Sequence, residues 1–298
     1  MTKLQIRNHF LLFAAALIWG SAFVAQRVAV DYMEPNTFTG LRSLIAAVFL
    51  IPVIFIADRF KNGPEACAGE VSGRFDRQVL TGGALCGVIL FAGSIFQQIG
   101  IQYTTPGKAG FITALYIVGV PVFGIFLKKK SGPFLWIGVL FAVAGLYLLC
   151  ITSGFALGRG DGWLLLCAVI YTFHILVIDH YIRKADGLRM SCVQLFVCAL
   201  CASFFMILTE HPDPRMILAG WKPLLYAAIL SSGVAYTFQI VGQREVNPTV
   251  ASLILSLESV FAVISGAIVL GQHMTTRETT GCALMFAAII LAQIPRRS

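Results

Sequence analysis

The sequence predicts an all-α membrane protein of ten transmembrane helices, arranged as two inverted five-helix repeats. Three observations lead there. Of 298 residues, 58% are hydrophobic and 12% are charged, against about 25% charge in a soluble domain, and the mean hydropathy is +0.83. The apolar text divides into ten stretches, each long enough to cross a bilayer. The two halves also resemble each other weakly at a shift near 142 residues. At about 20 residues per span, ten spans take roughly 200 positions and leave on the order of ten for each loop, so no soluble domain is expected.

The first stretch, near 8–28, follows Lys3 and Arg7. It stays apolar through Trp19 to Val24 without a small-residue cleavage site, and so reads as a span rather than a signal peptide. The second, near 36–57, carries Arg42 about six residues inside its outer end. The third, near 80–101, holds Gln97 and Gln98. The fourth, near 106–127, opens on Pro106, which suits a first helical position, with Thr105 as its cap. The fifth lies near 133–151, and the sixth, near 161–180, opens on Asp161. The seventh and eighth lie near 190–208 and 220–241. The ninth, near 248–270, repeats the device of the fourth with Asn247 and Pro248, and the tenth lies near 277–294.

Basic residues set the orientation. With the N-terminus inside, fifteen Lys and Arg fall on inner segments, among them Lys128, Lys129 and Lys130, against five outside. Both termini are therefore expected in the cytoplasm. The formal net charge of +8 reads as a topology signal and gives no reason to expect nucleic acid.

The repeat matches Gln97, Gly100 and Pro106 to Gln239, Gly242 and Pro248 at a shift of 142, and Gly138 to Gly281 at 143. Ala16 to Trp19 resembles Ala168 to Tyr171 at 152. Residues 1–151 then form one five-helix unit and 152–298 a second. Five is odd, so the second unit enters the membrane from the opposite face, as in many secondary transporters. Tyr116 and Glu258 each lie ten residues beyond their proline, roughly 15 Å deep, one descending and one rising. Trp19 and Tyr171 are about as deep in their own spans. Four polar-tipped side chains thus meet near the midplane, where a transporter of this design holds its substrate.

Glu258 is the strongest single signal, because an ionisable group at that depth costs several kcal/mol unless something answers it. It reads as a contact for a substrate ammonium, a proton-titrating group, or a carboxyl that hydrogen-bonds a neighbouring helix. Arg42 either snorkels outward or faces the cavity and holds a carboxylate through its forked guanidinium. His174, Gln97 and Gln239 read as lining the route or bridging helices. Trp19, Tyr116 and Tyr171 read as core packing or as faces for an apolar or aromatic solute. Pro106, Pro121 and Pro248 are expected to permit helix bends.

Enzyme-like strings carry less. Gly158-Arg159-Gly160-Asp161 spells an intramembrane aspartyl protease pattern, but no second Asp completes a pair, and Asp161 reads as a helix cap. His174 and Asp179 lie about 140° apart on one helix and do not face one reacting atom. Cys198 and Cys201 cannot complete a four-ligand zinc site. No nucleotide-binding or metalloprotease string is present, so no cofactor is expected.

Trp19-Gly20-Ser21, Leu41-Arg42, Gly100 through Thr105, Pro121-Val122-Phe123, Leu257 through Ala262 and Leu270-Gly271-Gln272 follow one another in an informative order. Together they resemble the drug/metabolite transporter superfamily, specifically its EamA-type exporters. The resemblance implies a ten-helix protein of the bacterial inner membrane that exports small metabolites, amino acids among them, through a central cavity. Three positions depart from the pattern: Gln272 where Glu is frequent, Lys128 to Lys130 at the matching point of the first copy, and Ser259 in place of Pro. The expected function is secondary transport of a small amphipathic metabolite, with membrane lipid as surroundings. Proton coupling, uncoupled facilitation and monomer or homodimer state stay open. The alternative is an integral membrane enzyme acting on lipid or peptide.

Overall fold

The computed structural model describes residues 3–61, 75–104, 106–127, 132–150, 158–270 and 275–292, and among these no strand occurs. Helices α1 (Lys3–Ala29), α2 (Pro35–Lys61) and α3 (Arg77–Ile101) are continuous. The fourth apolar stretch is two helices, α4 (Pro106–Thr113) and α5 (Tyr116–Phe126). Then come α6 (Pro133–Cys150), α7 (Arg159–Tyr181), α8 (Gly187–Thr209) and the short α9 (Pro214–Ala219). Next, α10 (Trp221–Leu225) runs through a π-helical segment (Tyr226–Ala235) into α11 (Tyr236–Gly242). The ninth stretch is again split, into α12 (Pro248–Leu255) and α13 (Glu258–Leu270), and α14 (Thr276–Ala292) ends the described chain.

Among the described residues eight helical stretches are long and apolar enough to cross a membrane, and Pro133–Leu149 is a shorter apolar helix. The chain is a multi-pass membrane protein. Lys128 to Lys130, Thr105, Gly271, Gln272 and both chain ends lie outside the described residues, as does the junction at 151–152.

Helix starts follow their local chemistry. Asp76, Asp186 and Asn247 each accept a backbone N–H from the first turn that follows, at 2.8, 3.0 and 2.9 Å. Asp161 accepts the Gly158 N–H at 2.8 Å and pairs with Lys108 at 2.7 Å. The protease-like string is thus a cap and an ion pair that ties α7 to α4.

The two splits share one hydrogen-bond pattern. Leu115 N–H donates to Ile112 O at 3.2 Å and Ile117 N–H to Ala114 O at 3.0 Å. In the ninth stretch, Leu257 N–H donates to Ile254 O and Ser259 N–H to Ser256 O, both at 3.2 Å. These i→i−3 bonds are a turn of 3₁₀ helix, a feature that often marks a hinge. Pro106 and Pro248 start helices α4 and α12, and Pro121 sits inside α5. The interruptions therefore fall at 114–115 and 256–257, away from the expected prolines.

Helix α2 packs on α8, α6 on α14, and α3 on both α7 and α8. Helix α1 packs on α13 and on the stretch from α10 to α11, while α7 packs on α4 and α5. Glycines set the closest approaches. A Cβ on Gly20 would lie 2.7 Å from the Glu258 carbonyl oxygen, so α1 touches α13 backbone to backbone. Gly145 and Gly281 place α6 equally close to α14. A cluster around Val79, Ile178, Met190 and Ile240 gathers the face where α1 begins. Ala29, Phe38, Leu224 and Ala227 gather the opposite face.

Candidate functional site

Between these two ends the helices enclose a cavity lined by fourteen residues. All eight binding candidates from the sequence are among them: Trp19, Arg42, Gln97, Tyr116, Tyr171, His174, Gln239 and Glu258. The sequence reading did not name Phe23, Gln26, Ile175, Ser231, Tyr236 and Leu255, which also line it.

The split helices build the centre. Breaking the fourth and ninth stretches just ahead of Tyr116 and Glu258 makes each the first residue of a new helix. Tyr116 Oη donates to Glu258 Oε1 at 3.1 Å, joining side chains 142 positions apart. Glu258 is 5% exposed and Tyr116 4%, so the carboxyl is answered by one hydroxyl and the cavity.

Arg42 supplies the opposite charge. It is 3% exposed, its guanidinium lies over the Phe38 ring at 5.2 Å, and its buried Nε has no partner. Among the described residues it makes no hydrogen bond or ion pair, with Glu258 or any other group. Burying a guanidinium without an acid beside it is costly.

Aromatic side chains line the same cavity. Trp19 Nε1 donates to the Ser231 carbonyl at 3.1 Å, inside the π-helical segment, and its ring packs against Tyr236 at 4.9 Å. The Tyr236 hydroxyl lies 3.4 Å from that of Tyr171, which in turn lies 3.4 Å from Ser94 Oγ. His174 stands edge-on to Tyr236 with centroids 6.2 Å apart, and its Nε2 bonds Gln194 Oε1 at 2.9 Å. Gln26 Oε1 and Gln239 Oε1 are buried without partners. The cavity therefore presents an acidic side chain, a basic one, unmet amide groups and aromatic side chains around about 40 Å³ of space.

Among the described residues no group of three or more His, Cys, Asp or Glu is placed to hold a metal ion. Asp179 meets Arg183 at 3.4 Å and His174 meets Gln194, so these two residues serve separate contacts. Cys198 accepts a hydrogen bond from Ser43.

The missed residues were readable in part. Phe23 and Gln26 follow Trp19 at i+4 and i+7 and so share its helix face. Tyr236 is the counterpart of Ser94 at the 142-residue shift, and both hydroxyls reach Tyr171. Ser231 contributes through its backbone carbonyl, which no side-chain pattern reveals.

Residues 7–151 and 158–293 each match the EamA-like transporter family. A protein of Archaeoglobus fulgidus described as an uncharacterized transporter is 31% identical, with the alignment covering 94% of this chain and 83% of that protein. The uncharacterized inner membrane transporter YedA of Escherichia coli is 24% identical over 95% of this chain and 89% of its own. A solved crystal structure at 18% identity superposes with a TM-score of 0.78 over 96% of both chains and shares the fold.

Proposed function

We propose, for a chain that belongs to the EamA-like transporter family and is thus a membrane transporter, that it exports small zwitterionic metabolites such as amino acids. The observation that carries this reading is a buried basic side chain, Arg42, and a buried acidic one, Glu258, that line one cavity and do not pair with each other. In this reading Arg42 holds the carboxylate and Glu258 the ammonium, while Trp19, Tyr171 and Tyr236 face the side chain. Tyr116 positions the Glu258 carboxyl.

The ten helical stretches form two inverted units, 1–151 and 152–298. Their contacts support this. Exchanging the units maps the α3–α7 contact onto that between the α10–α11 stretch and α1, and maps α1–α13 onto α7–α5. The α2–α8 and α6–α14 contacts map onto themselves. Transport then proceeds by one unit rocking against the other, with the 3₁₀ turns at 114–115 and 256–257 as flexible points. The face where α1 begins is the cytoplasmic one, in a bacterial inner membrane, as its excess of Lys and Arg indicates.

Flux of labelled amino acids from liposomes holding the purified protein tests the substrate class. Flux above that of empty vesicles, reduced at least tenfold in Glu258→Gln, is expected. Flux equal to that of empty vesicles across the amino acids overturns the proposal. Imposing a pH gradient across the same vesicles separates proton-coupled export from uncoupled facilitation.

A further inference from the structure

At the two ends of the α2–α8 contact stand two polar contacts that the cavity does not use. On the face where α1 begins, Arg189 Nη2 reaches both oxygens of Asp58 at 2.6 Å, and Nη1 lies 3.4 Å from Asp186. The Arg189 side chain is 4% exposed. On the opposite face, Glu210 is 7% exposed, and its carboxylate accepts four hydrogen bonds from the start of α2. They come from the backbone N–H groups of Asn36 and Thr37, both at 2.7 Å, and from Asn36 Nδ2 and Thr37 Oγ1, both at 2.8 Å.

These contacts correspond. The 152-residue shift that relates Trp19 to Tyr171 carries Asp58 onto Glu210 and Thr37 onto Arg189. In each case an acid at the last turns of one helix grips the first turn of the other, one contact at each face. One contact is an ion pair between side chains. The other is a carboxylate on free N–H groups at a helix N-terminus, where charge-assisted bonds are strong.

We propose that Asp58–Arg189 and Glu210 with Asn36 and Thr37 are a pair of latches, each holding the α2–α8 seam closed at its own membrane face. Both are closed in this structure, so the seam is shut at each end. For the cavity to open along this seam toward one face, that latch breaks while the other holds and serves as the pivot. Helices α2 and α8 carry Arg42 and Gln194, the latter bonded to His174, so each opening moves groups at the cavity wall. The alternating use of the latches rests on the transport reading above, whereas their existence as separate end clamps does not.

Backbone hydrogen exchange of the full chain in liposomes, followed by mass spectrometry, tests this without any substrate. Asp58→Asn should speed exchange at the ends of α2 and α8 near 55–61 and 187–192 on the order of tenfold, equivalent to about 1.4 kcal/mol. Exchange near 36–42 and 204–209 should hold at the wild-type rate. Glu210→Gln should do the converse. The conservative variant Asp58→Glu, which keeps the carboxylate opposite Arg189, should hold protection near the wild-type rate, and it covers the case in which Asp58→Asn does not fold. Loosening of both ends by either variant, no change in either, or exchange in Asp58→Glu as fast as in Asp58→Asn overturns the proposal. End-specific loosening in a protein that moves no solute leaves the latches standing and removes only their part in transport.

Discussion

In the proposed reading Arg42 selects what the cavity holds. A buried guanidinium with no acid beside it among the described residues favours a planar carboxylate that can take two parallel N–H bonds, and Lys, a point charge on a flexible stem, does not reproduce that fork. Arg42→Lys should therefore weaken amino-acid binding on the order of tenfold, and Arg42→Gln by more. A decarboxylated amine of the same side chain should bind both variants as it binds wild type. Ligand-induced thermal stabilisation reads this directly, because a ligand that prefers the folded state raises its apparent stability. Equal loss for acid and amine would assign Arg42 to packing. Tyr116→Phe removes the hydroxyl that, among the described residues, reaches Glu258 and should cost roughly 1.5–3 kcal/mol of binding if the carboxyl meets the ligand charged. At this scale the sequence showed polar groups that break an apolar text, and Glu258, Arg42 and the glutamines were legible for that reason. Tyr236 was not, since one more aromatic residue in an aromatic-rich span carries no such mark, and only its partners Trp19 and Tyr171 give it a role.

Helix existence was legible from apolar length, but helix interruption was not. Pro121 pointed to a bend in the fourth stretch, yet the break lies nearly two turns earlier, and the ninth stretch breaks at the matching place with no proline inside α13. A shared break with unshared residues points to packing as its cause. The hydroxyls of Ser252 and Ser256, bonded at 2.8 Å to carbonyls three residues back, help the second copy absorb it. The close approach of α1 to α13 at Gly20 is a candidate source of that packing, and it makes a matched pair of substitutions informative. Gly20→Ala places a methyl within 3 Å of the Glu258 carbonyl and the Ala262 amide, and overpacking of this kind costs about 1–3 kcal/mol. Gly162→Ala, in α7, meets nothing within 4 Å and removes a flexible residue from a helix, a gain of about 0.5–1 kcal/mol. Thermal unfolding in detergent should thus fall for the first and hold or rise for the second. A Gly20→Ala protein as stable as wild type would show that α1 is not pinned to the break.

For the whole molecule, everything turns on whether the first unit crosses the membrane an odd number of times. Four of the eight long apolar stretches precede residue 127, and the fifth helix of the unit is α6, with 18 residues. At 1.5 Å per residue α6 is about 27 Å long and α14, with 17 residues, about 25 Å, slightly short of a hydrocarbon core of about 30 Å. They pack on each other through Gly145 and Gly281, and a bilayer adapts to a few ångströms of mismatch at modest cost, so two short helices clasped together can still cross. If α6 crosses, the unit has five spans and the second unit is inverted, which is what lets Tyr116 and Glu258 reach one another from opposite directions. If it does not, the units run in parallel and that geometry has no simple origin. An accessibility tag inserted at 153–155 decides the matter. Labelling from outside intact cells, with tags at both chain ends protected, is the expected result for five plus five spans. A tag at 153–155 protected alongside the N-terminal tag would mean four spans before it, and the inverted repeat would have to be abandoned.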